Sequence, residues 1–366
     1  MIKRALVLGA GGFIGSHMVK RLKAEGYWVR GVDIKEPEFS PTQADQFLLH
    51  DLRNIYATND AFKIKGGFDE VYQFAADMGG AGYIFSGEND AEVFNNSMRI
   101  NLNTAEAAVN YGVKKLFFSS SACIYPQELQ EDPNNHGLKE SDAYPANPDS
   151  AYGWEKIAAE QLYDAYRRNY NLDVRIARFH NIYGPEGTYQ GGREKAPAAM
   201  CRKAAEAIDG GFVEVWGDGK QTRSFLYIDD CIEAVRKLMY DIEGDWQIPP
   251  PIMNIGSEEM VSINHLAEIA IGLSGKKLRI NNISSNNLGV RGRSSDNKTI
   301  RNWFHWEPKF NLIKGLGETY DWIAQHLQGS SIKESLQERF KDLVDAQALK
   351  GTYKPFNNEN TSQTQY

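Results

Sequence analysis

Short unbroken apolar runs alternate with stretches whose apolar residues recur every three or four positions through the first half of the chain. Ala5-Leu6-Val7-Leu8 is a run of the first kind and predicts a strand buried on both faces. After a glycine-rich turn, Phe13, Ile14, Met18, Val19 and Leu22 share one helical face, and Gly26 stops that helix. Residues 28–33 predict the next strand. Further strands are expected at 70–74, 115–119 and 172–178, with helices at 101–111 and 151–166 between them. This alternation predicts an α/β fold, a Rossmann-type doubly wound parallel sheet.

After Tyr183-Gly184-Pro185 the pattern turns irregular, with Gly187, Gly191 and Gly192 in a loop before a helical run over 196–207. Residues 1–183 therefore read as a Rossmann domain, and 184–330 mainly as a smaller, discontinuous α/β substrate-binding domain. Short apolar strands at 224–228 and 253–255 bring the chain back, so segments near 222–260 are expected to contribute to the first domain. From Ser330 on, Ile332, Leu336, Phe340, Leu343 and Val344 fit one helix face, and 357–366 is polar. Residues 331–366 thus predict a docked helix followed by a disordered tail.

A chain of 366 residues, 42% hydrophobic and 24% charged, suits a globular protein with a sizeable core. No apolar run reaches the roughly 18 residues a membrane span needs, and Met1-Ile2-Lys3-Arg4 leads straight into a strand. A cytoplasmic protein with no membrane partner is expected. The net charge of -7 argues against nucleic acid as a partner. Three widely spaced cysteines and seven unclustered histidines indicate neither a disulfide framework nor a metal site.

Gly9-Ala10-Gly11-Gly12-Phe13-Ile14-Gly15 follows a strand and opens a helix, which aims backbone amides and the positive helix end at a pyrophosphate. Gly9, Gly12 and Gly15 give the best register. A tight turn with nothing bound is the competing reading of glycines alone. Asp33 ends the second strand, where a carboxylate accepts hydrogen bonds from an adenosine ribose and repels a 2'-phosphate, so NAD is favoured over NADP. Asp51-Leu52 resembles an adenine-side contact of the extended short-chain reductases, whose glycine spacing the turn shares, and a plain surface aspartate fits nearly as well. Ala75 and Ala76, after the 70–74 strand, are small enough for a cofactor to lie close to the backbone, and equally suit a core.

Tyr152 and Lys156 lie one helical turn apart on one face, and a nearby ammonium is expected to lower the tyrosine pKa from its reference near 10. A poised phenolate takes a hydroxyl proton. Upstream, Ser121-Ala122-Cys123-Ile124-Tyr125-Pro126 places a hydroxyl and a thiol before that pair.

The glycine turn, the Ser121–Pro126 stretch and Tyr152/Lys156 form one set with Arg178-Phe179-His180-Asn181-Ile182-Tyr183-Gly184-Pro185, Gly192-Arg193-Glu194-Lys195-Ala196-Pro197 and Gln221-Thr222-Arg223-Ser224. Together with Val290-Arg291-Gly292-Arg293-Ser294, this set resembles the GDP-mannose 3,5-epimerases, a family of extended short-chain dehydrogenase/reductases. The resemblance runs from Ala5 to about residue 325. It implies tightly held NAD that oxidises the C4 hydroxyl of a GDP-mannose substrate and later returns the hydride. A C4 ketone acidifies the C3 and C5 hydrogens, because the carbanion is delocalised into an enolate. By resemblance Cys123 is the base and Lys195 the acid that invert these carbons, Tyr152 with Lys156 serves the redox step, and Ser121 holds the reacting oxygen. The products implied are GDP-L-galactose and, by C5 inversion, GDP-L-gulose. Phe13, Ile14 and Phe179 are implied at the cofactor, and Gly80, Ala122, Asn181, Glu194, Ala196, Lys203, Gln221 and Ser224 at the substrate. Arg223, Arg291 and Arg293 offer planar forks for a diphosphate, though each also suits a surface ion pair. A homodimer packed through 101–111 and 151–166 is implied as well.

Two relatives of the same site fit less well. A sugar-nucleotide 4,6-dehydratase typically carries an acidic pair where Ala122-Cys123 stands, and a simple 4-epimerase needs no thiol base. A non-catalytic NAD-binding protein has no use for Tyr152, Lys156, Cys123 and Lys195 together.

Overall fold

The computed structural model describes residues 2–135, 137–240, 251–285 and 289–328. The helix and tail expected over 331–366 lie outside the described residues. In chain order the strands are β1 (Arg4–Leu8), β2 (Trp28–Asp33), β3 (Gln46–Leu49), β4 (Glu70–Gln73), β5 (Lys115–Ser121), β6 (Asp173–Phe179), β7 (Ile182–Tyr183) and β8 (Phe212–Trp216), then β9 (Thr222–Ser224), β10 (Leu226–Tyr227), β11 (Ile252–Ile255), β12 (Met260–Ser262), β13 (Arg279–Ile283) and β14 (Gly292–Arg293). The helices are α1 (Phe13–Ala24), α2 (Ile55–Phe62), α3 (Ala81–Ile84), α4 (Asp90–Asn110), α5 (Ala151–Tyr170), α6 (Ala196–Glu206), α7 (Ile228–Met239), α8 (Ile263–Ser274), α9 (Lys298–Phe304) and α10 (Leu312–Gln328).

Seven strands form one parallel sheet in the order β11-β6-β5-β4-β1-β2-β3. Side chains along β1 alternate between its faces, as strand geometry requires. Ala5 and Val7 pack with Met18, Val19, Tyr72 and Phe117, whereas Leu6 and Leu8 pack with Phe62, Leu116 and Phe118. Both faces are therefore covered, which is why β1 reads as a continuous apolar run. The doubly wound α/β fold expected from the sequence is the one observed.

The connection order reverses at β1, between β4 and β2, and opens a crevice beyond the strands' carboxyl ends. Leu8 pairs with Val32 on one side and Gln73 on the other, so Gly9, Asp33 and Phe74 leave the sheet at one level. Ser121 pairs with Phe179 farther along that edge. The later chain returns to this sheet through β11, and the Ala5–Val7 cluster continues into α6, α7, α8 and α10. The remaining strands form three small sheets among the described residues: β12-β9-β14, β10-β7 and β13-β8. No described helix is long and apolar enough to cross a membrane.

Candidate active site

Packing explains three of the four glycines in the first turn. Gly9 has φ +83°, and a Cβ there would sit 2.7 Å from the Ala75 nitrogen. Gly15 has the Gly9 carbonyl in its Cβ position, and Gly11 has that of Lys35. Gly12 differs. It has φ -86°, and a Cβ there would meet nothing nearer than 3.4 Å, so neither backbone strain nor protein packing demands glycine. It is also the N-cap of α1, with no side-chain cap to satisfy the first amides. A cradle left bare at a helix N-terminus fits a pyrophosphate that must approach the backbone closely. Phe13 and Ile14 open the helix behind it.

Asp33 faces this turn, with its carboxylate accepting from the amides of Gly11 (2.9 Å) and Ile34 (2.7 Å). Burial pushes its pKa up, and those amides pull it back. Asp51 is occupied by Arg53 at 2.7 Å, an exposed pair that lowers the acid's pKa, while Leu52 is buried. Ala75 exchanges hydrogen bonds with the Gln73 side chain, which fixes the backbone leading to Ala76. Gly11 was not among the predicted contacts. Its signal, a second glycine inside the turn, was present but was absorbed by the choice of register.

The reactive end begins where β5 ends. Ser121 Oγ accepts from the Cys123 amide (3.2 Å) and so shapes the 3-10 turn Ala122–Ile124. α5 starts against that turn: Ser150 caps it by accepting from Gly153, whose Cβ would fall 2.2 Å from the Cys123 carbonyl. Tyr152, one residue earlier, is thereby set beside Ser121, whose hydroxyl opposes the rise in the phenol's pKa. Lys156, one turn on, is buried and donates to the Ser119 carbonyl (3.1 Å).

One expectation fails here. Tyr152 is pushed up by burial first, then by Cys123 and Glu155, with Ser121 opposing, rather than lowered by Lys156. The ammonium is spent on a carbonyl, its Nζ lies 5.6 Å from the phenol ring centroid, and desolvation dominates.

Cys123 is half-exposed, and Arg293 Nη1 donates to its sulfur at 3.2 Å. Arg293 is itself held by Gln130 and by Asp149 (3.5 Å), so most of its fork is already engaged. Lys195, N-cap of α6, has its pKa lowered by burial of the ammonium and raised by Cys123, which places thiol and amine in one electrostatic neighbourhood. Phe179 closes the floor beside Phe117.

The substrate-side residues fall into two groups. Six buried polar atoms have no hydrogen-bond partner among the described residues, and three of them belong to the predicted substrate contacts: Glu194 Oε2, Gln221 Oε1 and Ser224 Oγ. Buried polar groups rarely stay unpaired, and these three are free to meet a polar ligand. Gly80 lies against the Glu194 carbonyl, and Asn181, at φ +50°, donates to the Ser224 carbonyl (2.9 Å). Arg223 is pushed down to about 9 by burial and by the like charge of Arg293, and an anion between the two would relieve that crowding. Lys203 is engaged with the Glu214 carbonyl, and Arg291 pairs with Asp218 at the surface through both guanidinium nitrogens (3.1 Å each). Ala122 is buried, and Ala196 opens α6 after Lys195.

The model of the NAD dependent epimerase/dehydratase family matches residues 5–256. The chain belongs to that family. A curated relative, GDP-mannose 3,5-epimerase of Arabidopsis thaliana, is 46% identical over 331 residues, covering 90% of this chain and 84% of its own. Among solved structures, UDP-glucose 4-epimerase of Thermotoga maritima with UDP-glucose superposes with a TM-score of 0.77 at 25% identity, covering 89% of this chain and 100% of that one. UDP-glucuronic acid 4-epimerase of Bacillus cereus, in complex with UDP-glucuronic acid and NAD, does so with 0.72 at 25% identity, covering 88% and 99%. The family's NAD matches the cradle at Gly12, and the resemblance read from the sequence is borne out.

Proposed function

We propose that this chain is a GDP-mannose 3,5-epimerase. The observation that carries the reading beyond the family is Cys123: a thiol stands beside the Ser121/Tyr152 pair, against a guanidinium and in the field of the Lys195 ammonium. Plain 4-epimerisation gives a thiol nothing to do there. The likeness to the Arabidopsis enzyme supports GDP-mannose as substrate and GDP-L-galactose and GDP-L-gulose as products.

Gly9, Gly12, Gly15 and Asp33 would hold NAD, which when bound would supply the acceptor for the C4 hydride and the source of its return. Tyr152, whose phenol burial keeps protonated in the free protein, would take the C4 hydroxyl proton once the positive charge of bound NAD lowers its pKa, with Ser121 holding the oxygen. The ketone so formed loosens the neighbouring hydrogens, Cys123 removes a proton from one ring face, and Lys195 delivers one to the other. Arg223 draws the diphosphate with the charge of Arg293 behind it, Arg293's own nitrogens being held by Gln130, Cys123 and Asp149, and Asn181, Glu194, Gln221 and Ser224 meet the sugar and nucleotide. A thiol that must stay reduced suits the cytoplasm. A homodimer is part of the reading, supported by the apolar rows that α4 and α5 leave exposed, Phe94 and Leu102 on one and Trp154 on the other.

Incubation with GDP-mannose in deuterated water tests this reading. Deuterium is expected at C3 and C5 of recovered sugar, and label at neither carbon refutes it.

A further inference from the structure

The roof of the site is a seam between two segments, the glycine-rich stretch 77–87 after β4 and the loop 191–195. Gly80 approaches so closely that a Cβ would fall 2.3 Å from the Glu194 carbonyl oxygen, and Gly82 lies between the Trp216 ring and the Gly192 carbonyl. Arg193 fastens this seam. Its guanidinium carbon lies 3.9 Å from the Tyr83 ring centroid, and its Nη1 is 4.0 Å from Asp77 Oδ1. The receiving half is rigidly mounted on α4: Tyr83 donates to the same Asp77 oxygen (3.0 Å), Asn96 donates to the other (2.9 Å), and the Asp77 amide donates to Ser97 (3.0 Å). The arriving half is hinged, since Gly191 and Gly192 take φ +86° and +81° and touch nothing at their Cβ positions. Lys195 is two residues from the clasped arginine.

We infer that Arg193 is a positioning residue, a clasp that keeps the roof shut while the sugar is a ketone and holds Lys195 over the ring. This rests on the function proposed above. In that chemistry the C4 carbon loses its hydride to the cofactor and its hydroxyl proton to Tyr152, and no covalent bond ties the resulting ketone to the protein. Escape before the hydride returns leaves one free keto-sugar and one enzyme molecule with a reduced cofactor, unable to start again. The clasp must outlast the chemistry and still open once per turnover. An exposed cation–π contact beside a stretched ion pair is of that modest strength.

The test uses holoenzyme carrying Arg193→Gln or Tyr83→Leu, with Arg193→Lys as the conservative change and circular dichroism to confirm folding. Each is given GDP-mannose while cofactor reduction is followed by absorbance, and ketone in the filtrate is trapped with borodeuteride. Arg193→Gln and Tyr83→Leu are expected to build up reduced cofactor matched by free ketone, with about tenfold fewer turnovers before inactivation, the size two weakened contacts allow. Arg193→Lys should fall between them and the unmodified enzyme. Slower turnover without free ketone, or no change, overturns the clasp. An unmodified enzyme that neither reduces its cofactor nor exchanges label with GDP-mannose overturns the functional reading instead.

Discussion

Cys123 is set apart from the other two cysteines by what surrounds the sulfur. Burial pushes the thiols of Cys201 and Cys231 up, so they stay protonated and serve as small apolar residues. Cys123 is half-exposed and meets Arg293. Cys123→Ser is expected to slow label exchange at C3 and C5 by at least roughly a hundredfold while GDP-mannose still reduces bound cofactor. Unchanged turnover would return Cys123 to the core. Lys195 gives a pH signature. Burial lowers its pKa, Cys123 opposing, and donating to carbon requires the protonated form. Activity should therefore be present below that lowered pKa and fall as pH rises through it, with the alkaline limb below the ordinary lysine value of about 10.4. Lys195→Arg, which cannot lose its charge in this range, should slow exchange and remove the limb. A profile flat into alkaline pH for the unmodified enzyme would contradict the assignment. Ser121, Tyr152 and Cys123 were legible because they are close in sequence and carry a recognisable pattern. The destination of Arg293 was not, because 170 residues separate it from the sulfur it touches.

At the scale of elements, legibility followed local pattern. The buried strands β1 and β5 announce themselves as apolar runs, and β4 by Val71, Tyr72 and the following Phe74 although Glu70 and Gln73 are buried with them. β3 did not, because at the sheet edge its residues are half-buried or exposed, and an edge strand carries no strong apolar signature. α4 starts at Asp90 rather than near 101, since its polar first turns (Asp90, Glu92, Asn95, Asn96) mask the helical period. β8 alternates as a strand with one covered face does, but its larger side chains, Phe212 and Trp216, are exposed while Val213 and Val215 are buried. What binds α7 to the sheet was equally invisible. Arg236 on α7 is buried and reaches Glu70 on β4 (2.6 Å) and Glu25 after α1 (2.7 Å), partners 166 and 211 residues away. Arg236→Ala would leave Glu70 buried without its counter-charge, and urea denaturation should show a loss of about 3–5 kcal/mol. The double change Arg236→Met/Glu70→Leu is expected to cost less than Arg236→Ala, because no charge is stranded. A loss under about 1 kcal/mol for Arg236→Ala would place the arginine among ordinary surface pairs.

For the whole molecule the open question is the number of copies. Phe94 and Leu102 are exposed and Met98 is half-buried between them, a spacing that puts all three on one face of α4. On α5, Trp154 is exposed and Leu162, about two turns later, is half-buried. α4 and α5 pack against each other, so the two rows lie on neighbouring helices. A two-fold axis through such a surface pairs it with itself and buries both rows in a four-helix contact. The cost of leaving them in water, about 25 cal/mol for each Å² of apolar surface, is removed twice over by one association. Trp154 also lies between Tyr152 and Lys156 on α5, so the contact would stiffen the helix that carries the redox pair. Leu102→Arg and Trp154→Glu are therefore expected to give monomers in analytical ultracentrifugation at micromolar protein, with a lower Tm. Exchange of label at C3 and C5 should weaken but persist, since a single chain carries Ser121, Cys123, Tyr152 and Lys195. Variants that sediment as the unmodified protein does would show that these rows are not where copies meet.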